Sequence, residues 1–521
     1  MESVSLKSGW FSVKCARVRK VESLGRSYVD FAVRERPWNL AQGHLWNKLR
    51  GDGLAIPHSC PTGSGLVSLD TQPIDAVDSC SDTSEICSEV PDVKHSGGIP
   101  GKEWSSSSSS GYHSGIGTSE VSHGDHLGFD NSLTSDEATD EDDDDDSDWG
   151  EDEWPVDRAL PLPEWGCERP ELNFGSLHLY YQFLSHVGSH LERALATQCY
   201  DTLSNFIAFG KEYQNLRGEY PALEEFYRDY DPPLLPGRYT CVGLSCDLAT
   251  TLSTLEVQYP GLKDAVYQVS CEEEIDNVDW YCSNGVPPVT TCEKEHVLIC
   301  IRIRIHGRAG VVLLDPGYHI GEAITVMEDG MTPQSGIIRA NTTRPNVLRK
   351  YQYHYHPDNS SFVAWDVVEE RDGKVTHSHT SLIHIARPFL SGVDIAERRN
   401  LVYHFKTLLA RESSGKLKCG LYFPLRQCHE TNVTFFHWAD DGLRHTKVPL
   451  TYFSEQHNAL ASEERDSETE TTLAIVAAGT GRSVADLRLS LENVASLCQD
   501  AEFMSQLAEL EEAIVSISKD N

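Results

Sequence analysis

The sequence has no apolar run long enough to cross a bilayer, and Met1 to Trp10 lack the basic flank and apolar core of a secretory leader. Positive charge is also scarce. Lys and Arg number 44 against 80 Asp and Glu, a formal net charge of −36, which argues against electrostatic binding of nucleic acid or an anionic membrane by the whole chain. There is no Gly-rich phosphate-cradling loop, no Cys-x-x-Cys pair and no long internal repeat. The cysteines number 15, but an odd count at irregular spacing in a large chain reads as free thiols, not as a disulfide framework. The expected compartment is the cytosol, with the nucleus also open, so the sequons at Asn341, Asn359 and Asn432 read as chance matches.

What is present falls into blocks. Residues 1–50 hold scattered aromatics, among them Trp10, Phe11 and Trp38, and suggest a short docking segment. Residues 51–160 are rich in Ser, Gly, Asp and Pro, too poor in apolar side chains to offset the entropy of ordering, and are expected to be disordered. The dense acidic tract from Asp136 to Glu153 is self-repelling and extended; it is either a handle for a basic protein partner or, more plainly, a solubilising spacer. A helical segment follows over 161–236, where Leu177, Leu179, Tyr180, Phe183, Leu184 and Val187 give three-and-four spacing. A core over 237–455 carries a helix from Cys241 to Leu255, then strands over His296–Ile305, Gly310–Asp315, Tyr351–His356 and Phe362–Val368. Residues 456–521 read as a polar linker and two amphipathic helices starting near Ser483 and Ala501, which dock on the protein's own body or recruit a partner. Helices first and sheet afterwards predict an α+β fold.

Cys241 stands where a Pro-Gly-containing loop, Pro236-Gly237-Arg238-Tyr239-Thr240, enters a helix. Unpaired N–H groups and the positive end of the helix dipole favour a thiolate there. Leu244, Leu248, Leu252 and Leu255 share one face and would bury the helix behind it. A nucleophile needs a base. His296 opens an apolar strand that reads as the first arm of a hairpin turning at His306-Gly307, which sets Ile299 opposite Leu314 and Ile301 opposite Val312. In that register His296 and Asp315 share a face, so the carboxylate can orient the imidazole while the other ring nitrogen serves Cys241. A blander reading keeps Cys241 as a small core residue, His296 as a satisfied strand residue and Asp315 as a turn former before Pro316-Gly317.

The two blocks Gly237–Leu255 and His296–Tyr318 resemble the arylamine N-acetyltransferases, within the wider transglutaminase-like cysteine group. That family sets its cysteine ahead of a helix with apolar steps like Cys241, Leu244, Leu248 and Leu252, and its aspartate in a pattern imitated by Asp315-Pro316-Gly317-Tyr318-His319. The resemblance implies a helical segment, an antiparallel β-barrel and a C-terminal lid. It also implies acyl transfer from a thioester such as acyl-CoA, as co-substrate and not as a tightly bound cofactor, to an amine through Cys241, His296 and Asp315. Two departures stand out: Gly237-Arg238-Tyr239-Thr240 replaces the family's Arg-Gly-Gly, and Cys271 to Thr291 looks like an inserted acidic loop. Cys246 is a rival nucleophile. Alternatives on the same fold are a noncatalytic scaffold and a transglutaminase-like peptidase or amidase.

Two other groups carry less weight. His354 with His356, and His377 with His379, alternate along strands, but no third ligand shows in the spacing, so solvent-facing histidines and no metal site are expected. Arg302, Arg304, Arg308 and Arg339 could meet coenzyme phosphates, or simply keep a strand face soluble.

Overall fold

The computed structural model describes residues 154–518 except 292, 294, 295, 319, 342–346, 441 and 455–466. The expected docking segment, the expected disordered stretch up to residue 153 with its acidic tract, and residues 456–466 of the expected polar linker lie outside the described residues. Two expectations are corrected: the remainder of the linker carries a helix, Ser467–Gly479, and residues 154–160 are placed, with Leu160 buried in the core.

The first strand, β1 (Leu172–Phe174), leads into helix α1 (Leu177–Thr197). Ser176 caps that helix by accepting from Leu179 N, and Tyr180, Phe183, Val187, Leu191 and Leu195 form its buried stripe. The chain continues through β2 (Tyr200–Asp201), α2 (Leu203–Leu216), α3 (Leu223–Asp229) and α4 (Cys241–Leu252). Next come β3 (Val266–Glu272), β4 (His296–Ile305), β5 (Arg308–Leu314), β6 (Ile324–Met327) and β7 (Ile338–Asn341). Three longer strands follow: β8 (Val347–His356), β9 (Asn359–Arg371) and β10 (Lys374–His384).

These strands form a nine-stranded sheet in the order β6-β5-β4-β3-β10-β9-β8-β7, with β1 paired to β4. It curls into a half-barrel. The expected antiparallel β-barrel or sheet is an open half-barrel, with β6 and β7 at the two ends of the hydrogen-bonded path. A side chain bridges the gap instead: Gln334 accepts from Met327 N at 2.7 Å and donates to Tyr353 O at 2.8 Å. One pairing is parallel, with Leu172 to Phe174 running alongside Ile303 to Ile305.

Residues of β4 and β5 alternate between two cores. Ile299, Ile301, Val312 and Leu314 meet α1 and α4 on the convex side, whereas Leu298, Cys300, Val311 and Leu313 join Tyr267, Tyr351 and Trp365 in the concavity. The β4–β5 register is the expected one, with Ile299 opposite Leu314 and Ile301 opposite Val312. His306 (φ 50°) and Gly307 (φ 81°) both adopt the left-handed backbone that a two-residue turn needs.

Beyond β10 lie a π-helical turn (Gly392–Glu397), α5 (Arg398–Val402) and four strands, β11 (Phe405–Arg411), β12 (Leu417–Pro424), β13 (Asn432–Ala439) and β14 (Gly442–Pro449). With β2 these make a second sheet, β14-β13-β12-β11-β2. Three helices, α6 (Ser467–Gly479), α7 (Val484–Gln499) and α8 (Ala501–Val515), end the described chain. They share one core with α2, α3 and the second sheet, through Phe206, Tyr213, Leu421, Phe435, Leu491 and Phe503 among others. Among the described residues no helix is long and apolar enough to cross a membrane.

Candidate active site

Three buried side chains from separate elements meet where α4 abuts the start of β4. Cys241 is the first residue of α4 and has no exposed surface. Its helix is anchored below by Leu244, Leu248 and Leu252, and Ser245 Oγ donates to Val297 O at 3.3 Å, which ties the first turns to β4. His296 opens β4, 6% exposed, and Asp315 follows β5, 3% exposed. The hairpin register brings these two together: His296 Nε2 and Asp315 Oδ2 are 2.8 Å apart.

Asp315 is held on its other side as well. Its Oδ1 accepts from Gly317 N and Tyr318 N, both at 2.9 Å. Burial works against the carboxylate, but the His296 charge and hydrogen bond and these two N–H groups outweigh it and keep Asp315 below its ordinary range. The reverse holds for the ring. Burial opposes the imidazolium, yet Asp315 and a hydrogen bond with the Cys241 side chain raise His296 well above its ordinary value. Because Nε2 is committed to Asp315, Nδ1 is the nitrogen available to the thiol.

Gly317 fits this site sterically. A Cβ there would lie 3.0 Å from Cys241 Cβ and 3.1 Å from His296 Cε1, so a side chain would wedge between thiol and ring. The loop is fixed by Arg411, at the end of β11, which donates to Pro316 O at 3.1 Å and to Gly317 O. Tyr318 continues from that loop, its ring 5.9 Å from the His296 ring and edge-on to Trp365 at 4.9 Å.

A second layer supports the cysteine's helix. Thr240 caps α4 by accepting from Val242 N at 3.4 Å, and its hydroxyl donates to the fully buried Glu397, which also accepts from Asn205 Nδ2. Burial pushes the Glu397 carboxyl up to about 7, against the pull of those two hydrogen bonds. Glu397, Arg411 and Gly317 were not singled out from the sequence. Glu397 and Arg411 lie more than a hundred residues from Cys241 with no motif around them; Gly317 was legible as a turn residue after Pro316 and as part of the pattern following Asp315, without a role of its own.

The structure brings Cys241, His296 and Asp315 together and sets Cys246 apart. Cys246 Sγ accepts from Gln268 Nε2 at 3.4 Å, and desolvation pushes its thiol up to about 12. Three of the four arginines considered for phosphate binding are paired with carboxylates: Arg302 with Glu168 and Glu171, Arg304 with Glu171, Arg308 with Asp329. His354 Nε2 lies 2.8 Å from Asp366 Oδ2, and buried His356 lies 3.8 Å from Asp279.

No known family model matches the sequence, and no curated protein does. Among solved structures, the arylamine N-acetyltransferase from Mycobacterium abscessus aligns at 10% identity and a TM-score of 0.32, over 60% of this chain and 88% of that one. At that distance the functional reading rests on this chain's own side chains.

Proposed function

We propose that this protein is a cysteine-dependent acyltransferase that moves an acyl group from a thioester such as acyl-CoA to an amine by way of acyl-Cys241. The reading is supported by a buried imidazole whose Nε2 lies 2.8 Å from Asp315 Oδ2, with Cys241 and the His296 ring both packed against Gly317. In the first half, Cys241 Sγ gives its proton to His296 and attacks the thioester carbonyl carbon. The carbon–sulfur bond to the donor breaks, and His296 returns the proton to the departing thiol. In the second half an amine nitrogen attacks the acyl carbon, His296 takes its proton, and Cys241 leaves and is reprotonated. Asp315 keeps Nε2–H as a donor throughout and stabilises the imidazolium. The acidic tract and terminal helices are, in this reading, separate places for protein partners.

A second reading, a noncatalytic scaffold, draws support from one observation: Cys241 has no exposed surface. Intact-mass measurement after incubation with acetyl-CoA and longer acyl-CoAs distinguishes the two. The transferase reading expects an acyl adduct on the wild type and on Cys246→Ala, none on Cys241→Ala, and clearance on adding an arylamine or hydrazine. No adduct with any donor leaves the scaffold. An adduct cleared by water alone, together with cleavage of amide substrates, points to hydrolase chemistry.

A further inference from the structure

The histidine pair on β10 has a third partner that its own strand does not reveal. His377 and His379 are two residues apart, so their side chains leave the same face of the strand. A register shift between Val375 and His377 bends the strand there, and His379 Nδ1 comes to lie 3.1 Å from His377 Nε2. Glu274 reaches the pair from the turn after β3, with a carboxylate oxygen 3.8 Å from His379 Nδ1. One donor atom from each of the three residues falls within 4.8 Å of the others.

The turn that delivers Glu274 is held in place. Glu274 has a left-handed backbone (φ 53°), which is uncommon for a residue with a side chain. Its N–H donates to Ser381 Oγ at 3.3 Å, and Ile275 N donates to Thr380 O at 2.9 Å, so two hydrogen bonds clamp this turn onto β10 beside His379.

We propose that Glu274, His377 and His379 bind a divalent transition-metal ion of the zinc class. Metal–nitrogen bonds of about 2.0–2.1 Å around a tetrahedral ion put neighbouring ligand atoms roughly 3.3 Å apart, close to the imidazole separation seen here. The carboxylate has to close in from 3.8 Å on His379, and its side chain, 58% exposed, is free to move. Two imidazoles and one carboxylate suit zinc or cobalt, whereas calcium and magnesium require mostly oxygen. Solvent supplies the remaining coordination position. The ion would fasten the turn after β3 to β10, beside the ladder in which Leu382 pairs with Glu272; the preceding residue, Cys271, pairs with His296.

Cobalt(II) titrated into full-length, chelator-stripped protein is the test, because its visible d–d bands report nitrogen and oxygen ligation and thiolate ligation adds a strong near-ultraviolet band. The expected result is one equivalent bound with d–d bands and no thiolate band, lost in His377→Ala/His379→Ala and weakened in Glu274→Gln. Zinc should raise the melting temperature of the wild type and not of the double variant. Failure of the wild type to bind, an unchanged equivalent in the double variant, or a thiolate band on the retained ion would each overturn the proposal. Circular dichroism of Glu274→Gln guards against a loss caused by misfolding.

Discussion

Glu397 accepts a hydrogen bond from the hydroxyl of Thr240, the residue that caps the helix beginning at Cys241. The contact spans two sheets' worth of chain and fixes the candidate nucleophile from behind, through the cap, without touching the thiol's immediate partners. It also places a carboxyl in a setting that resists its charge.

That setting makes stability depend on pH in an unusual direction. An ordinary carboxyl titrates near 4.5, and burial moves Glu397 up to about 7, so between those values the folded chain holds a proton that the unfolded chain has lost. Stability contributed by this group is complete below the lower value, falls as pH rises through the window, and stays low above it. Glu397→Gln removes the charge and offers an amide N–H to Asn205 Oδ1, which lacks a partner. Urea denaturation at about pH 5 and about pH 8 should show a loss of up to about 3 kcal/mol in the wild type that shrinks in Glu397→Gln. Equal losses in both would show that the carboxyl is not the source.

Asp315→Asn tests the orientation of the imidazole. Asparagine can still accept from Gly317 N and Tyr318 N, but its amide group would face His296 Nε2 and favour the tautomer with the proton on Nδ1, toward Cys241. Loss of a correctly held base costs on the order of 10²-fold or more. Both acyl-adduct formation and iodoacetamide labelling of Cys241 should slow by at least about that factor while the melting curve stays cooperative. Labelling at the wild-type rate would remove His296 as the thiol's base.

Access to the thiol is a separate matter from its activation. Gly317 lies against both Cys241 and His296, and Arg411 holds the backbone carbonyls on either side of it. A guanidinium serves two carbonyls at once, which an ammonium does less well. Arg411→Lys should therefore loosen the Pro316–Tyr318 loop with its charge retained, and Arg411→Ala should do so further. Mass-spectrometric peptide mapping after timed alkylation is expected to show faster modification of Cys241 in that order, measured where each variant is folded. Unchanged rates would mean that the route to the sulfur lies elsewhere.

The legible part of the site was its most local part. His306-Gly307 between two apolar runs sets a turn, the turn sets the register, and the register puts His296 beside Asp315. β3 was hidden by its chemistry: Gln268, Ser270 and Glu272 alternate as an exposed polar edge would, yet all three are buried. Gln268 donates to Val242 O, Ser270 accepts from Trp165, and Glu272 accepts from Glu293 N and Tyr281, partners that no local pattern reveals. Cys271 and Glu272, read as the start of an inserted loop, therefore complete a central strand. β1 and β2, with three and two residues, are too short to show a period. The second sheet escaped for a related reason, since its strands bury apolar residues on α6, α7 and α8, far along the chain.

Those terminal helices supply the last prediction. The starts of the last two were readable, and the structure caps them, with Ser483 accepting from Asp486 N at 3.0 Å and Asp500 from Phe503 N at 3.1 Å, while Arg217 of the segment after α2 reaches Asp500 at 2.8 Å. Phe503 packs 5.9 Å from Tyr213 and 6.3 Å from Phe206, ring to ring, and Leu491 is fully buried in the same core. A chain ending before Ser483 would bare Phe206 and Tyr213 to water, so it should lose cooperative unfolding and aggregate. Leu491→Ala, a milder perturbation, should cost about 2–5 kcal/mol in urea denaturation because it leaves a cavity in that core. A truncated chain that unfolds at the wild-type midpoint would show instead that the helices are appended to an already complete core, and loss of a protein partner on truncation could then be assigned to the helices themselves.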